Sequence, residues 1–506
     1  MDITFINPGI GPYPVNFQLC MDLAGAKSSH IPLSLATLAA LSPEDARLRI
    51  LDENIETLPE RISSGIVALT GTIMQKKRLF ELAHKYRSPD TVVVIGGPIT
   101  FYLPEECREH ADVVFVGEAE ETWPRFLAKY RRNEYAREYR QEGFVDFAKS
   151  PVPRLDLLKC DKYAAACIQV TRGCSYKCLY CDVPVKYGDA PRVKELAQVL
   201  EEVENADRMG FDSVFFVDDN FTADRQSANR LLDALAAQRK SLKHKMSYYT
   251  QVTLNVAKDE ALLARFRMAG FERLFIGIET FNEDLLRALN KRHNLEMDIR
   301  EAVARIHAHG ITVWAGIMLG MESGDYEELD KLLDFIQTTG IMPIQVGIMQ
   351  AVPETPLYEQ LARDGALATL PSVFGSSTIN DTGIPRLTNI MYPSLNDNDI
   401  RRSAGGFYEK LFHPEMFAQR IINSSRNLAE NSLQTPPLTW RNLKILLRAT
   451  AYYLFRAPAA HRRMFLRLLG AVLKRQVVRL DELAFSLVIF KHFHEYYTAT
   501  AHRMRQ

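Results

Sequence analysis

The chain has 506 residues, 47% of them apolar and 25% charged, with 62 lysines and arginines balancing 62 aspartates and glutamates. A single hydrophobic core rarely grows past roughly 250–300 residues, so at least two domains are expected. A chain that needs nucleic acid usually carries a strongly basic domain, so zero formal charge argues against that partner.

The seven cysteines do not form a disulfide scaffold: Cys174, Cys178 and Cys181 crowd together while Cys20, Cys107, Cys160 and Cys167 are scattered. That usage fits a reducing cytoplasm and a metal site. The opening MDITFINPGI lacks the basic and apolar regions of a signal peptide, and no uncharged apolar run reaches transmembrane length. A cytoplasmic protein is expected.

Residues 1–150 read as an open α/β domain with its linker. Apolar runs recur at Ile3–Asn7, Leu48–Leu51, Ile66–Leu69, Val92–Ile95 and Val113–Val116, with a helix over Met74–Tyr86. Near-continuous Val/Ile runs are the signature of buried parallel strands. Several end in small or turn-forming residues: Asn7-Pro8-Gly9, Thr70-Gly71, Gly96-Gly97-Pro98 and Gly117-Glu118. Such ends let a flat ligand approach the carboxyl edge of a sheet, although glycines there also simply turn the chain. Residues 125–150 are polar and weakly periodic, which predicts a surface linker, and Pro151 and Pro153 mark entry into the next domain.

Residues 151–370 read as repeated βα units closing partly or wholly into a barrel. Strands are expected at Ala166–Val170, Ser213–Val217, Lys245–Gln251, Arg273–Ile278, Thr312–Met318 and Ile344–Met349. Between them lie helices at Val193–Met209, Ala223–Gln238, Lys258–Met268, Ile299–His309 and Tyr326–Thr338. In the first helix Leu196, Leu200 and Val203 should share one face; in the fourth, Ala302, Val303 and Ile306 should. His307 and His309, at that helix end, read as solvent-facing or capping residues. His30 and His293 are candidates for a pocket, as are Tyr248, Tyr249 and Gln251 on the third strand. Residues 371–506 form a mainly helical extension after a serine-, proline- and asparagine-rich stretch at 371–395.

The first barrel strand runs into Thr171-Arg172-Gly173-Cys174-Ser175-Tyr176-Lys177-Cys178-Leu179-Tyr180-Cys181. Three thiolates spaced four and three residues apart on a glycine-entered loop can converge on one face of an iron–sulfur cluster, whose irons favour soft ligands. Zinc is the alternative, but it wants a fourth ligand in regular geometry; Asp182 is poorly placed and the next histidine is His244.

The loop resembles the cysteine motif of the radical S-adenosylmethionine (SAM) superfamily, with Tyr180 as the aromatic residue before the last cysteine. The resemblance implies a [4Fe–4S] cluster whose open iron chelates the amino and carboxylate groups of SAM. Electron transfer then breaks a carbon–sulfur bond to give methionine and a 5′-deoxyadenosyl radical. It implies that Tyr180 carries backbone that meets adenine. Asp218 and Asp219 occupy the place of the family's glycine-rich cofactor segment, from which they depart in sequence. Gly277-Ile278-Glu279-Thr280 resembles the fourth-strand segment, with Glu279 holding SAM; a helix-capping role for Glu279 is the alternative. Gly316, in Gly316–Gly320, and Gly347–Pro356 resemble the strands that frame adenine and substrate. An external reductant such as flavodoxin or ferredoxin is implied as partner.

Ahead of this barrel, residues 1–125 resemble a Rossmann-like cobalamin-binding domain, with Thr70, Gly71, Gly96, Gly97 and Glu118 at the cofactor edge. The Asp-x-His-x-x-Gly segment that would supply a lower cobalt ligand is missing, as it is in many radical relatives. Over residues 1–420 the resemblance is to cobalamin-type radical enzymes with a helical extension. That group includes hopanoid C-methylases and, more distantly, the anaerobic magnesium-protoporphyrin cyclase. The activity implied is methylation of an unactivated carbon on a lipid-like or polycyclic substrate. The alternatives are radical cyclisation, rearrangement or oxidation without methyl transfer, or a non-catalytic iron–sulfur protein.

Between Asn431 and Leu480 there is no acidic residue and there are ten basic ones: Arg441, Lys444, Arg448, Arg456, Arg462, Arg463, Arg467, Lys474, Arg475 and Arg479. They interleave with apolar residues, including Leu466, Leu469 and Leu473. Such helices can lie on an anionic bilayer and bring the barrel mouth to it, or pack on the barrel with a solvated basic face.

Overall fold

In a computed structural model the residues described are 1–14, 16–320, 326–368, 387–393, 395–429, 440–477 and 480–505. Most of the serine- and proline-rich stretch and Arg479 lie outside them. The strands before residue 150 are β1 (Asp2–Asn7), β2 (Ser28–His30), β3 (Arg47–Asp52), β4 (Ile66–Thr70), β5 (Val92–Gly96), β6 (Val113–Val116) and β7 (Glu138–Arg140). All but β2 form one parallel sheet in the order β3-β1-β4-β5-β6-β7. Helices cover both faces, including α1 (Leu33–Ala40), α2 (Lys76–Lys85) and α3 (Thr122–Tyr130). The expected surface linker is therefore part of this unit. Trp123, Phe126 and Leu127 of α3 and Tyr139 of β7 are buried, because the last edge of the sheet must also be covered.

The next strands are β8 (Tyr163–Ile168), a short hairpin β9 (Thr171–Arg172) and β10 (Arg192–Val193), then β11 (Ser213–Phe216), β12 (Ser247–Val252), β13 (Phe271–Glu279), β14 (Thr312–Leu319) and β15 (Ile344–Ile348). The second large sheet is parallel and ordered β15-β14-β13-β12-β11-β8-β2. Its crossovers are α4 (Leu196–Arg208), α5 (Arg225–Gln238), α6 (Glu260–Ala269), α7 (Ile299–Ala308) and α8 (Tyr326–Thr339). On α4 the buried face is Val199, Val203 and Ala206, while Leu196 is exposed and Leu200 half-buried, one residue round from the expected stripe. Ala302, Val303 and Ile306 of α7 are buried as expected. His307 is buried too, and burial pushes its pKa down to about 4, so it is neither solvent-facing nor a cap.

After a short helix at Pro356–Arg363, the described residues form five more: α9 (Asp397–Leu411), α10 (Pro414–Ala429), α11 (Trp440–Phe455), α12 (Ala459–Leu473) and α13 (Leu480–Arg505). The curled sheet is open between β15 and β2, and α13 lies against both sides of that seam. Tyr497 Oη bonds Val346 N at 2.9 Å on β15. Lys491 Nζ reaches Leu19 O at 2.6 Å, and His492 Nε2 donates to Tyr13 O at 3.0 Å, on the segment leading into β2. Phe493 meets Phe17, which in turn meets Trp314. Among the described residues no helix is long and apolar enough to cross a membrane.

Candidate active site

The barrel lumen is stratified because strand side chains alternate between helices and interior. Tyr248 points outward into the core against Phe216 and Phe271, so it does not face a substrate. Its neighbour Tyr249 points inward, stacks on Phe215 at 4.8 Å and bonds His30 Nε2 at 2.8 Å. Phe275 meets Trp314 at 5.7 Å. These rings make an aromatic floor across the lumen. Beneath it, at the amino ends of the strands, a cavity of about 180 Å³ is lined by residues including His30, Tyr249, Trp314, Arg441 and Phe485. Of the candidate pocket histidines, His30 thus belongs to the floor, where burial pushes its pKa down to about 4.

Above the floor, at the carboxyl ends, the strands are irregular. Register shifts between Gly277 and Glu279, and Glu279 takes a positive φ of 65°, a conformation costly for a residue with a β-carbon. The bend turns the Glu279 carboxylate back over Gly277. A β-carbon at Gly277 would lie 2.8 Å from Lys291 Nζ and still closer to Glu279 Oε1. Lys291 Nζ is 2.7 Å from Glu279 Oε1 and 2.9 Å from Tyr180 Oη, and Tyr180 donates to the same Glu279 oxygen at 3.0 Å. Glu279 is not a helix cap; Asn282 is, accepting from Leu285 N. Gly316 pairs with Gly277 across β13 and β14, and each makes room for a neighbour: a β-carbon at Gly316 would lie 3.1 Å from Phe275 Cζ.

The cysteine loop is moored to this rim. Gly173 has φ 90°, and a β-carbon there would meet the carbonyl oxygens of Gly188, Ala190 and Tyr187 at 2.7–3.0 Å. Leu179 N bonds Leu289 O at 3.0 Å, Leu357 N bonds Leu179 O at 2.9 Å, and Asn290 Nδ2 bonds Lys177 O at 2.7 Å. Tyr176 stacks on His293 at 4.2 Å and accepts from Asn255 Nδ2 at 2.6 Å. All three cysteines are free thiols, and burial raises their pKa values, Cys181 to about 12. Deprotonation must therefore come from metal coordination. Among the described residues no three His, Cys, Asp or Glu side chains converge as ligands of one metal ion. Asp182, the doubtful fourth zinc ligand, is engaged by Lys186 Nζ at 2.6 Å and by Tyr102 Oη. A donor set of three thiols without a fourth partner fits a cluster with one open iron better than structural zinc.

Asp218 is fully buried and its Oδ1 accepts from Val170 N at 3.0 Å and from Thr171 N, so it braces the strand end that launches the loop rather than facing open volume. Burial pushes its pKa up to about 7 and that of Asp219 up to about 6, Lys186 opposing the latter.

Between this rim and the carboxyl edge of the first sheet lies a cavity of about 460 Å³. Thr70, Gly71, Gly97 and Glu118 line one side and Gln169, Arg172, Lys186, Tyr187 and Lys194 the other. Gly96 does not line it; its missing side chain would rest beside Phe115 instead. Glu118 is engaged in ion pairs, at 2.7 Å to Arg172 Nη1 and 3.0 Å to Arg192 Nη1, while Glu120 takes Arg172 at 2.6 Å. It links the first domain to both strands of the β9–β10 hairpin. Sequence reasoning missed Arg172, Arg192 and Lys291. Arg172 stands two residues before the first cysteine and was open to notice; the others gain meaning only from their partners.

Residues 168–336 match the radical SAM superfamily model, and residues 355–506 match a domain of unknown function, DUF4070. A hopanoid C-2 methylase from Rhodopseudomonas palustris (strain TIE-1) is 33% identical over 365 residues, which span 71% of this chain and 68% of that protein. The radical SAM methyltransferase TsrM from Kitasatospora setae, solved with cobalamin and a [4Fe-4S] cluster, superposes with a TM-score of 0.61. It is 13% identical over 94% of this chain and 98% of its own. The cobalamin-dependent radical enzyme OxsB gives 0.61 at 15% identity over 98% of this chain and 80% of its own. The cysteine loop, the curled parallel sheet beneath it and the identity to the methylase agree: the chain belongs to the radical SAM superfamily, in the branch that sets a cobalamin-binding-type domain ahead of the barrel.

Proposed function

We propose that this enzyme is a cobalamin-dependent radical SAM methyltransferase that acts on an unactivated carbon of a lipid-like or polycyclic molecule. The observation that carries the reading is the 460 Å³ cavity, bounded by the carboxyl edge of the first sheet and by the flank of the cysteine rim. Two cofactors bound at those two edges would address one substrate volume between them.

The donor chemistry fits the groups. Cys174, Cys178 and Cys181 would hold a [4Fe–4S] cluster. Tyr180 and Glu279, beside the strand ends at Gly277 and Gly316, would hold SAM, and Thr70, Gly71 and Gly97 offer a low wall to a flat macrocycle. Among the described residues no histidine lines that wall, so cobalamin would be held there by backbone and by other side chains. When bound, the cluster and SAM would supply the radical that activates carbon, and cobalamin would supply the methyl unit.

The chain's own residues position and insulate. Lys291 aims the Glu279 carboxylate; the Glu118–Arg172–Arg192 ion pairs fix the distance between the two cofactor edges; the aromatic floor keeps water from rising through the lumen. The methylase relative, named for a hopanoid substrate, supports a bulky apolar substrate, drawn from a membrane or carrier. The reducing electron would come from an external protein such as flavodoxin or ferredoxin.

The test is anaerobic reconstitution with iron, sulfide, cobalamin, SAM and a reductant. 5′-Deoxyadenosine and S-adenosylhomocysteine should both form, with cobalt retained. 5′-Deoxyadenosine alone would support cyclisation, rearrangement or oxidation in place of methyl transfer; neither product would overturn the reading.

A further inference from the structure

The helical extension divides into a buried part and a displayed part. In α11 and α12 one face is buried: Ala449 and Tyr453 on the first, Met464, Phe465, Leu468 and Ala471 on the second. The opposite face carries apolar side chains that no described residue covers: Leu447 is 61% exposed, Phe455 80%, Leu466 51% and Leu473 86%. Lys444, Arg456, Arg462, Arg463, Lys474 and Arg475 are exposed between them, whereas the Arg448 guanidinium lies against Gly25. Lys444, Leu447 and Phe455 recur at helical spacing, as do Arg462, Arg463, Leu466, Leu469 and Leu473, so each helix shows one mixed stripe. Single exposed leucines are ordinary; a stripe on two adjoining helices, in a segment with no acidic residue from 431 to 480, is a surface of one kind.

We propose that the outer face of α11 and α12 docks on an anionic lipid bilayer, its apolar tips entering the acyl boundary and its basic side chains meeting headgroups. Charge decides the occupant. A second copy of the chain would bring the same cations to the contact and repel. The leucine tips have no use on a nucleic-acid backbone, whereas interleaved basic and apolar tips suit a charged interface with an oily layer behind it. Among the described residues no helix is built to cross, so the attachment is peripheral.

The geometry also sets which end of the enzyme is tethered. Arg441 at the start of α11 bonds Ala164 O at 2.6 Å and pairs with Asp212, beside the amino ends of β8 and β11. The docking face is thus rooted at the end of the barrel remote from Cys174, Cys178 and Cys181. Docking does not press the barrel mouth into the bilayer, as the sequence had suggested. It holds the enzyme at the surface and leaves the cysteine rim free for reductant and substrate.

The experiment is vesicle flotation of the full reconstituted chain with phosphatidylcholine alone or mixed with phosphatidylglycerol, at low and high salt. Two variants are compared: a charge variant (Arg462→Glu, Arg463→Glu, Lys474→Glu, Arg475→Glu) and an apolar variant (Phe455→Ser, Leu466→Ser, Leu473→Ser). Both change exposed side chains, and unchanged thermal melts and cluster absorbance show that they remain folded. The native chain should float with anionic vesicles roughly ten-fold more than with neutral ones, and each variant should lose most of that binding. No recruitment of the native chain to anionic vesicles, or undiminished recruitment of both folded variants, would overturn the proposal. Flotation is read without turnover, so its failure leaves the methyl-transfer reading standing, and failed methyl transfer leaves this one.

Discussion

The two ends of the barrel are built by opposite rules. At the carboxyl end the backbone is bent at Glu279, glycines replace side chains at 173, 277 and 316, and ionised groups are buried in contact. Toward the amino end Phe215, Tyr249, Phe275 and Trp314 cross the lumen above the 180 Å³ cavity, and α13 closes the seam. One end stores strain and open volume for ligands; the other supplies the packing that holds that strain in place. The contrast predicts that substitutions at the carboxyl end change chemistry, whatever they cost in stability, and that those at the amino end change stability and leave chemistry intact.

The sharpest test is at the cysteines. Cys174→Ala, Cys178→Ala or Cys181→Ala should each reduce 5′-deoxyadenosine formation to background while the melting temperature of the metal-free chain is unchanged. Residual cleavage in a triple variant would break the contrast. Next comes Gly173→Ala, whose β-carbon meets three backbone carbonyls. It should lose most of its iron on reconstitution. Gly210→Ala shares a positive φ with open space around it and should cost only about 1–2 kcal/mol, with full iron content.

A step smaller is Lys291→Met, which leaves the Glu279 carboxylate buried without its cation. About 3 kcal/mol of stability should be lost, with a roughly ten-fold rise in KM for SAM. Glu279→Gln, which keeps two polar atoms, should raise KM with less unfolding. Equal SAM binding in both variants would remove Glu279 from the cofactor site.

At the amino end the test is pH. His307 is buried with its pKa held near 4, below the ordinary value near 6.5. Between those values the unfolded chain takes up a proton that the native state refuses. Stability therefore falls as pH drops from 7 towards 4, by about 2 kcal/mol at pH 5 for this residue. Urea titration of native and His307→Gln chains at pH 7 and 5 would show the loss shrinking in the variant. The smallest effect is expected for Tyr249→Phe: it removes the hydrogen bond to His30 and should cost about 1 kcal/mol, read by urea melt, with SAM cleavage unchanged.

Much of the fold was legible because its signals are local. Val/Ile runs announced the first sheet, 3.6-residue periodicity announced the crossovers, and the thiols at 174, 178 and 181 with Tyr180 carried the chemistry. What escaped has partners far away in sequence. Ser28–His30 is three residues, two of them serine, and becomes a strand only because β8 offers a free edge. The 125–150 segment looked like a linker because its buried residues are few and spread over α3 and β7. Gly96 and Asp218 sat at the expected strand ends, yet one rests beside Phe115 and the other braces Val170 and Thr171.

By itself the sequence determined the spacing of the three cysteines, the strand-and-helix rhythm and the basic, acid-free segment, since composition and spacing along one element are sufficient for each. Only the tertiary structure decided that Lys291 serves Glu279, that Glu118 ties the first domain to the cysteine hairpin, and that α13 seals the barrel while α11 and α12 turn outward. Those contacts join residues 12, 54 and 151 positions apart. A pairing at such separations leaves no periodicity in the chain; it exists because folding brings two desolvated groups together and each lowers the other's cost of burial.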